Sequence, residues 1–297
     1  MPADREAVAR QIRDACLDRG FFCIVGHDVE PLLIEAALAQ TRALFNLPLE
    51  RKLAMDKSNA GGKRGYEPLR GQRLEAGAPE DLKEGFYIGS DAQAGEGGAF
   101  THWPNQWPVD LPAFAPAMQA YYAAMLDLSR LLMRGLALSL DLTEDAFDAF
   151  CADPIAILRL LHYPAQFGPD PKGAKGAGAH TDFGALTLLL QDDVAGLEVF
   201  DQAAGGWTLA PPMPGAYVVN LGDLIARWTN DRYRSTLHRV VGTPGADRYS
   251  IPFFLSGAPA HQVICLPGCL PDGQSPIYPP TTVEEHLTER YRQTYEV

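Results

Sequence analysis

His180, Thr181 and Asp182 form an H-x-D unit, and His238 follows 56 residues after Asp182. Arg248-Tyr249-Ser250 begins ten residues after that histidine. Two imidazoles and one carboxylate are metal ligands by type, while the arginine and serine offer a cation and a hydroxyl. Two histidines plus one carboxylate, with coordination positions left open, is the donor set of non-haem Fe(II) sites. Taken singly these signals are weak. An H-x-D arises by chance, a strand histidine is usually a packed core residue, and Arg-x-Ser alone says little. Their order, spacing and strand context together carry the reading.

The local sequence must place these groups. Residues 177–190 leave a glycine-rich loop and become an apolar, strand-like run. In an extended chain residues i and i+2 share a face, so His180 and Asp182 can hold one ion while Thr181 points away. The third ligand must come from another strand, and His238 lies in the β-rich stretch Ser235-Thr236-Leu237-His238-Arg239-Val240-Val241. By the same period-2 rule Arg248 and Ser250 share one strand face. A guanidinium there would meet a carboxylate as a charge-assisted fork.

Four stretches carry a resemblance. They are Leu158–Pro164, ending in Tyr163-Pro164; His180–Phe200; Val219-Asn220-Leu221-Gly222-Asp223 through Ser250; and, more weakly, Arg19–His27. Together they cover most of the chain, which resembles the isopenicillin-N-synthase-like family of Fe(II)- and 2-oxoglutarate-dependent oxygenases. The resemblance implies that His180, Asp182 and His238 are the iron ligands. It implies that Arg248, Ser250 and Tyr163 grip the distal carboxylate of 2-oxoglutarate. It further implies oxidation of a small organic substrate with O2, hydroxylation being the expected outcome, with release of succinate and CO2. Two departures stand out. Leu161 occupies a position where many members carry Asn, and the family's usual first strand has no counterpart, because helix-like spacing begins at once.

The 297 residues allow one large domain or two ordinary ones, with a substantial core. Apolar residues make up 46% and charged residues 21%, a globular balance. A net charge of −12, without any long Lys/Arg run, argues against a nucleic-acid partner. The five cysteines (16, 23, 151, 265, 269) are odd in number and scattered, which fits a reducing compartment. Neither a secretory leader nor a membrane-length apolar run is visible, so a cytoplasmic protein is expected.

Helical spacing covers 4–19, 31–46, 112–140 and 283–295, with short helices at 49–55 and 143–151. Thr143 is a plausible N-cap for the latter, and Thr281-x-x-Glu284 reads as a capping box for the last helix. A strand is expected at 21–25. Residues 56–108 lack sustained periodicity and contain many Gly and Pro, so they read as a lid with one strand near 84–88. From 155 to 255 short strands are expected at 155–163, 185–190, 196–200, 207–209, 216–219, 236–241 and 249–255. This pattern predicts an α+β fold, mainly β in its core: a double-stranded β-helix, or cupin-like jelly roll, with supporting N-terminal helices. One catalytic domain over 1–297 is expected, helix-rich in 1–150 and jelly roll in 151–297. Substrate contacts would come from the barrel mouth and covering loops, with Tyr66, Arg70, Phe86, Tyr87 and Phe254 as candidates. The stretches 61–108 and 166–179 are expected to be mobile without substrate.

Three alternatives remain open at this level. An iron oxidase of the same fold need not use 2-oxoglutarate. A zinc hydrolase also uses His2Asp plus water, but leaves Arg248-x-Ser250 unexplained. A non-catalytic jelly-roll binding protein would have no reason to retain all three ligands.

Overall fold

The computed structural model describes residues 5–61, 63–90, 103–168, 170, 172–242, 245–270 and 273–295. Helix α1 (Arg5–Asp18) buries its apolar stripe of Ala9, Ile12 and Cys16. Gly20 stops it at φ +65°, where an added Cβ would fall 1.9 Å from the Arg234 carbonyl oxygen, so no larger residue fits. Strand β1 (Phe21–Ile24), helix α2 (Pro31–Phe45) and the one-turn α3 (Leu49–Leu53) follow. Strands β2 (Gly65–Glu67) and β3 (Glu84–Gly89) pair antiparallel. Helix α4 (Phe114–Ser139) is the longest described element and buries Phe114, Met118, Tyr121, Met125 and Leu136.

The β-rich half contains β4 (Ile155–Tyr163), β5 (Ala177–His180), β6 (Leu186–Gln191), β7 (Leu197–Asp201), β8 (Gly206–Leu209) and β9 (Tyr217–Leu221). Then come α5 (Asp223–Trp228), β10 (His238–Val240), β11 (Arg248–Gly257), the short pair β12 (Gln262–Val263) and β13 (Thr281–Thr282), and α6 (Val283–Tyr295). One sheet runs β1-β9-β6-β11-β4-β3-β2 and the other β5-β10-β7-β8, antiparallel throughout. This is the expected jelly roll.

Alternation along β11 sorts core from site. Tyr249, Ile251, Phe253 and Leu255 join the main apolar cluster with the α4 side chains. Arg248, Ser250, Pro252 and Phe254 face the cavity that also holds His238 and His180 from the smaller sheet. Helix α4 packs on β6 and β11, with α1 and α2 against it. The helices brace the larger sheet, and the site lies on that sheet's other face.

Three local expectations are corrected. Residues 143–151 form successive turns rather than a helix, with i→i+3 bonds from Ala146 to Thr143 and Asp148 to Asp145. Phe147 and Phe150 pack on Trp228 there, and this burial sets the chain path. The capping box lies one residue later: Thr282 Oγ1 accepts from the Glu285 amide (3.2 Å), and Glu285 Oε2 accepts from the Thr282 amide (2.9 Å). Within the proposed lid, β2 is an unanticipated strand that extends the larger sheet. Residues 62 and 91–102 of the expected lid lie outside the described residues.

Candidate metal centre and cosubstrate cavity

His180 ends β5 and His238 opens β10, and the two are register partners. Asp182 lies two residues past the end of β5. Gly222 and Asp223 hold this turn: the Asp223 amide donates to the Asp182 carbonyl (2.8 Å) and the Gly222 amide to the Ala185 carbonyl (3.0 Å). A Cβ at Gly222 would meet the Gly184 carbonyl oxygen at 2.2 Å, so glycine is required for the approach.

The three ligand groups converge. Asp182 Oδ1 is 3.9 Å from His180 Nε2 and 3.6 Å from His238 Nε2. The other atoms of each ligand are already engaged. His180 Nδ1 bonds the Gly178 carbonyl (2.8 Å) and His238 Nδ1 the Thr236 carbonyl (3.1 Å), so both rings present Nε2 to the centre. Asp182 Oδ2 accepts from Thr187 Oγ1 (2.6 Å) and Asn220 Nδ2 (2.7 Å), which leaves Oδ1 facing the imidazoles.

The electrostatics agree. Burial, reinforced by repulsion from His238, pushes the His180 imidazole well below its ordinary range, so its ring is neutral with a lone pair to give. Burial alone would raise the Asp182 carboxyl. The two histidines, Asn220 and Thr187 outweigh it and hold the group below the usual carboxylate range. A divalent ion with affinity for both nitrogen and oxygen fits this donor set. His180, Asp182 and His238 form the metal-competent group of His, Cys, Asp and Glu among the described residues.

Two cavities meet at these ligands and share His180, Asp182, Leu74, Arg159 and Phe254 as walls. The inner one ends at Arg248, which is fully buried, and at Ser250, Tyr163 and Lys83. Arg248 Nη2 donates to Gln191 Oε1 (2.8 Å) and Nε to the Val194 carbonyl (3.2 Å), and the guanidinium lies 4.9 Å over the Tyr163 ring. Ser250 Oγ is 3.4 Å from Arg248 Nη1. Leu161 is the register partner of Ser250 and is also an inner wall, so this position contributes apolar surface where the resemblance anticipates Asn. A buried fork beside a hydroxyl suits a dicarboxylate's far end.

The outer cavity is lined by Tyr87, Phe183, Tyr291, Leu287, Gln72 and Arg159. Of the five candidate substrate residues, Tyr87 and Phe254 line it, whereas Tyr66, Phe86 and Arg70 do not. The reason for Phe86 is alternation: adjacent to Tyr87 on β3, it points the other way, onto Phe114. Tyr66 likewise faces the core and donates to Glu84, while its neighbour Glu67 bonds Arg159 on the cavity side. Arg70 pairs with Asp170 in the covering stretch (2.5 Å). A larger open groove beside α6 is lined by charged groups such as Arg227, Glu285 and Glu289 and holds none of the three ligands.

Sequence reasoning missed Thr187, Asn220, Arg159, Lys83, Gln191 and the α6 wall. Asn220 and Arg159 did carry a signal: each is polar and flanked on both sides by apolar residues of its strand, and buried polar groups have partners.

Comparison with known proteins places this architecture. Residues 154–257 match the model of the 2OG-Fe(II) oxygenase superfamily, and residues 1–110 that of the non-haem dioxygenase in morphine synthesis N-terminal family. The 2-oxoglutarate-Fe(II) type oxidoreductase hxnY of Emericella nidulans is 45% identical over 99% of this chain and 86% of its own length. The 2-oxoglutarate-dependent dioxygenase citB of Monascus ruber is 41% identical over 97% and 89%. A full-length Neurospora crassa protein, solved with alpha-KG and thymine, superposes with a TM-score of 0.86 at 31% identity, covering 98% of this chain and 92% of that one. Identity of this extent, over nearly the whole chain and on the same fold, means that this protein belongs to the 2OG-Fe(II) oxygenase superfamily and is a 2-oxoglutarate-dependent non-haem iron dioxygenase.

Proposed function

We propose that His180, Asp182 and His238 hold the Fe(II), that Arg248, Ser250 and Tyr163 hold the distal carboxylate of 2-oxoglutarate, and that the enzyme hydroxylates a small organic substrate seated in the outer cavity. One observation carries the reading. Asp182 Oδ1 and both histidine Nε2 atoms converge on one cavity, and the same cavity ends at a fully buried arginine. Bound iron with 2-oxoglutarate and O2 supplies the oxidising chemistry, releasing succinate and CO2. The chain's own residues do the rest. The Gly178 and Thr236 carbonyls hold the imidazoles, and Thr187 and Asn220 hold the carboxylate. Arg248 orients the cosubstrate from the far end. Tyr87, Phe183, Phe254 and Tyr291 form an aromatic wall that excludes water from the reacting carbon.

The thymine in the Neurospora complex supports a small-molecule substrate of about ring size. We read the chain as one catalytic domain, because β1, β2 and β3 from its first half complete the sheet built by its second. No helix among the described residues is long and apolar enough to cross a membrane, and the scattered, unpaired cysteines favour the cytoplasm. Anaerobic iron binding followed by O2 uptake with and without 2-oxoglutarate tests the function. Succinate formed in step with 2-oxoglutarate loss is the expected result. O2 uptake that ignores 2-oxoglutarate would favour the iron oxidase of the same fold.

A further inference from the structure

This chain of net charge −12 gathers cations in and beside the two cavities that meet at the candidate ligands. Arg159 and Lys83 line the cavities that meet at the triad. Both are buried, and so are the carboxylates they bond, Glu67 and Asp81. Lys57 is a second cation on Glu67. Arg64 is a fourth, only 3% exposed, and it pairs with no carboxylate among the described residues. Its guanidinium packs on Gly89, whose register partner Ile157 is a wall of the outer cavity. With Asp182, which lines both cavities, four cations thus meet three carboxylates among the described residues, and Arg64, whose Nε has no hydrogen-bond partner, is the one left over. Burying cations in excess of their counter-charges is unfavourable unless something else answers them. A field of this sign in a low-dielectric cleft also draws anions towards it.

Resting on the reading that the outer cavity takes the substrate, we propose that this substrate bears a carboxylate, which Arg159 grips while Lys83 and Arg64 supply the surrounding positive field. The guanidinium plane suits a carboxylate fork. Arg159 is held flat for it, 4.5 Å over the Tyr87 ring and bonded to Gln72 Oε1 at 2.8 Å. The aromatic walls then take an apolar, flat body, which puts a C–H bond rather than the carboxylate towards the metal ligands. Lys83 fits the same picture: burial and the Arg159 charge push its amine down to about 8 despite Asp81, as expected where cations crowd.

The test uses the protein loaded anaerobically with Fe(II) and saturating 2-oxoglutarate, and calorimetry as the readout. The probes are benzoate, phenylacetate and hexanoate, each beside its carboxamide, with phenyl phosphate as the competing anion. At least one acid should bind tenfold or more tightly than its amide at low salt, and the margin should shrink as salt rises. In Arg159→Met the margin should collapse towards one, Arg159→Lys should keep part of it, and Arg64→Met should reduce it less. Equal binding of acid and amide overturns the proposal, as do tighter binding of phenyl phosphate and failure of every acid to bind. An unchanged margin in Arg159→Met does so too, and if that variant does not fold, the wild-type margin and Arg159→Lys still decide. 2-Oxoglutarate binding on the same samples reports the underlying reading separately. Its loss in the wild type would sink that reading, and its persistence beside absent acid preference would sink this inference alone.

Discussion

His238 stands directly opposite His180 across the β5–β10 pair, with ring centroids 4.3 Å apart. Sheet register therefore sets the separation of two ligands far apart in sequence, and the H-x-D turn adds the third. A facial set of this kind has no spare donor. His180→Ala, Asp182→Ala and His238→Ala should each abolish turnover and weaken Fe(II) binding. Turnover and metal titration check both halves, and near-wild-type activity in any of the three would remove that residue from the ligand set.

Asn220 and Thr187 act on Asp182 without meeting the metal. Their bonds to Oδ2 keep Oδ1 pointed at the imidazoles. Outer-shell partners of this type are typically worth about 10–100-fold in metal affinity. Asn220→Leu and Thr187→Val should each lower Fe(II) affinity by roughly that factor, with unfolding temperature changed far less than iron content. A fall in stability with iron affinity intact would make them core residues only.

Arg248 should act on the cosubstrate and leave the metal alone. Losing a hydrogen bond to a charged group costs about 1.5–3 kcal/mol, so Arg248→Ala should weaken 2-oxoglutarate binding roughly tenfold to a hundredfold. Iron content should hold. Arg248→Lys should restore only part, because the planar fork is gone and Gln191 loses its partner. Unchanged 2-oxoglutarate affinity in Arg248→Ala contradicts the role.

The candidate ligands and the candidate cosubstrate arginine and serine were readable because their signals are local. His180 and Asp182 are two apart just ahead of the apolar run of β6, and Arg248 and Ser250 are two apart at the start of β11. What supports them is not local. Lys83 lies in Asp81-Leu82-Lys83-Glu84, with no periodicity to show that it faces the triad. Leu287 and Tyr291 share a face of α6, but nothing in that helix says that the face closes a cavity beside Phe183. Among the candidates on β2 and β3, Tyr87 lines the outer cavity while Tyr66 and Phe86 face the core, and Glu67, which was not a candidate, bonds Arg159 on the cavity side. Aromatic character was weighed, whereas strand alternation decides which neighbour meets the cavity.

Glu67 should make the protein acid-labile in a defined window. Burial alone would raise its carboxyl, but Arg159 and Lys57 outweigh that and hold it at about 2 against an ordinary 4.5. A carboxyl lowered on folding contributes stability that is fully present above 4.5 and lost as pH falls towards 2. A shift of this size corresponds to about 3 kcal/mol. Urea unfolding across this range should show the wild type losing about that much more stability than Glu67→Gln. At neutral pH the variant should be the weaker protein, since it strands two cations. Parallel stability curves would mean that Glu67 is not held by these partners.

The two stretches that flank the cavity are tied to each other, which changes what their motion should look like. The Leu82 amide donates to the Lys175 carbonyl (2.8 Å), and Lys175 Nζ bonds Glu75 Oε2 (2.7 Å). Glu75 also accepts from the Ala179 amide (3.0 Å), and Asp81 Oδ1 from the Gly178 amide (2.9 Å). His180 follows immediately. Residues 72–83 and 175–179 should therefore gain and lose protection together rather than as two independent loops. Hydrogen exchange on the iron- and 2-oxoglutarate-loaded protein, with and without a carboxylate that binds, reads this directly. Both should slow on binding, and Lys175→Ala with Glu75→Ala should uncouple them while leaving the β11 amides protected. If one stretch responds without the other in the wild type, the clasp is not the unit that moves. If neither responds while the ligand binds, substrate enters a preformed cavity, and water exclusion falls to the aromatic wall and α6 alone.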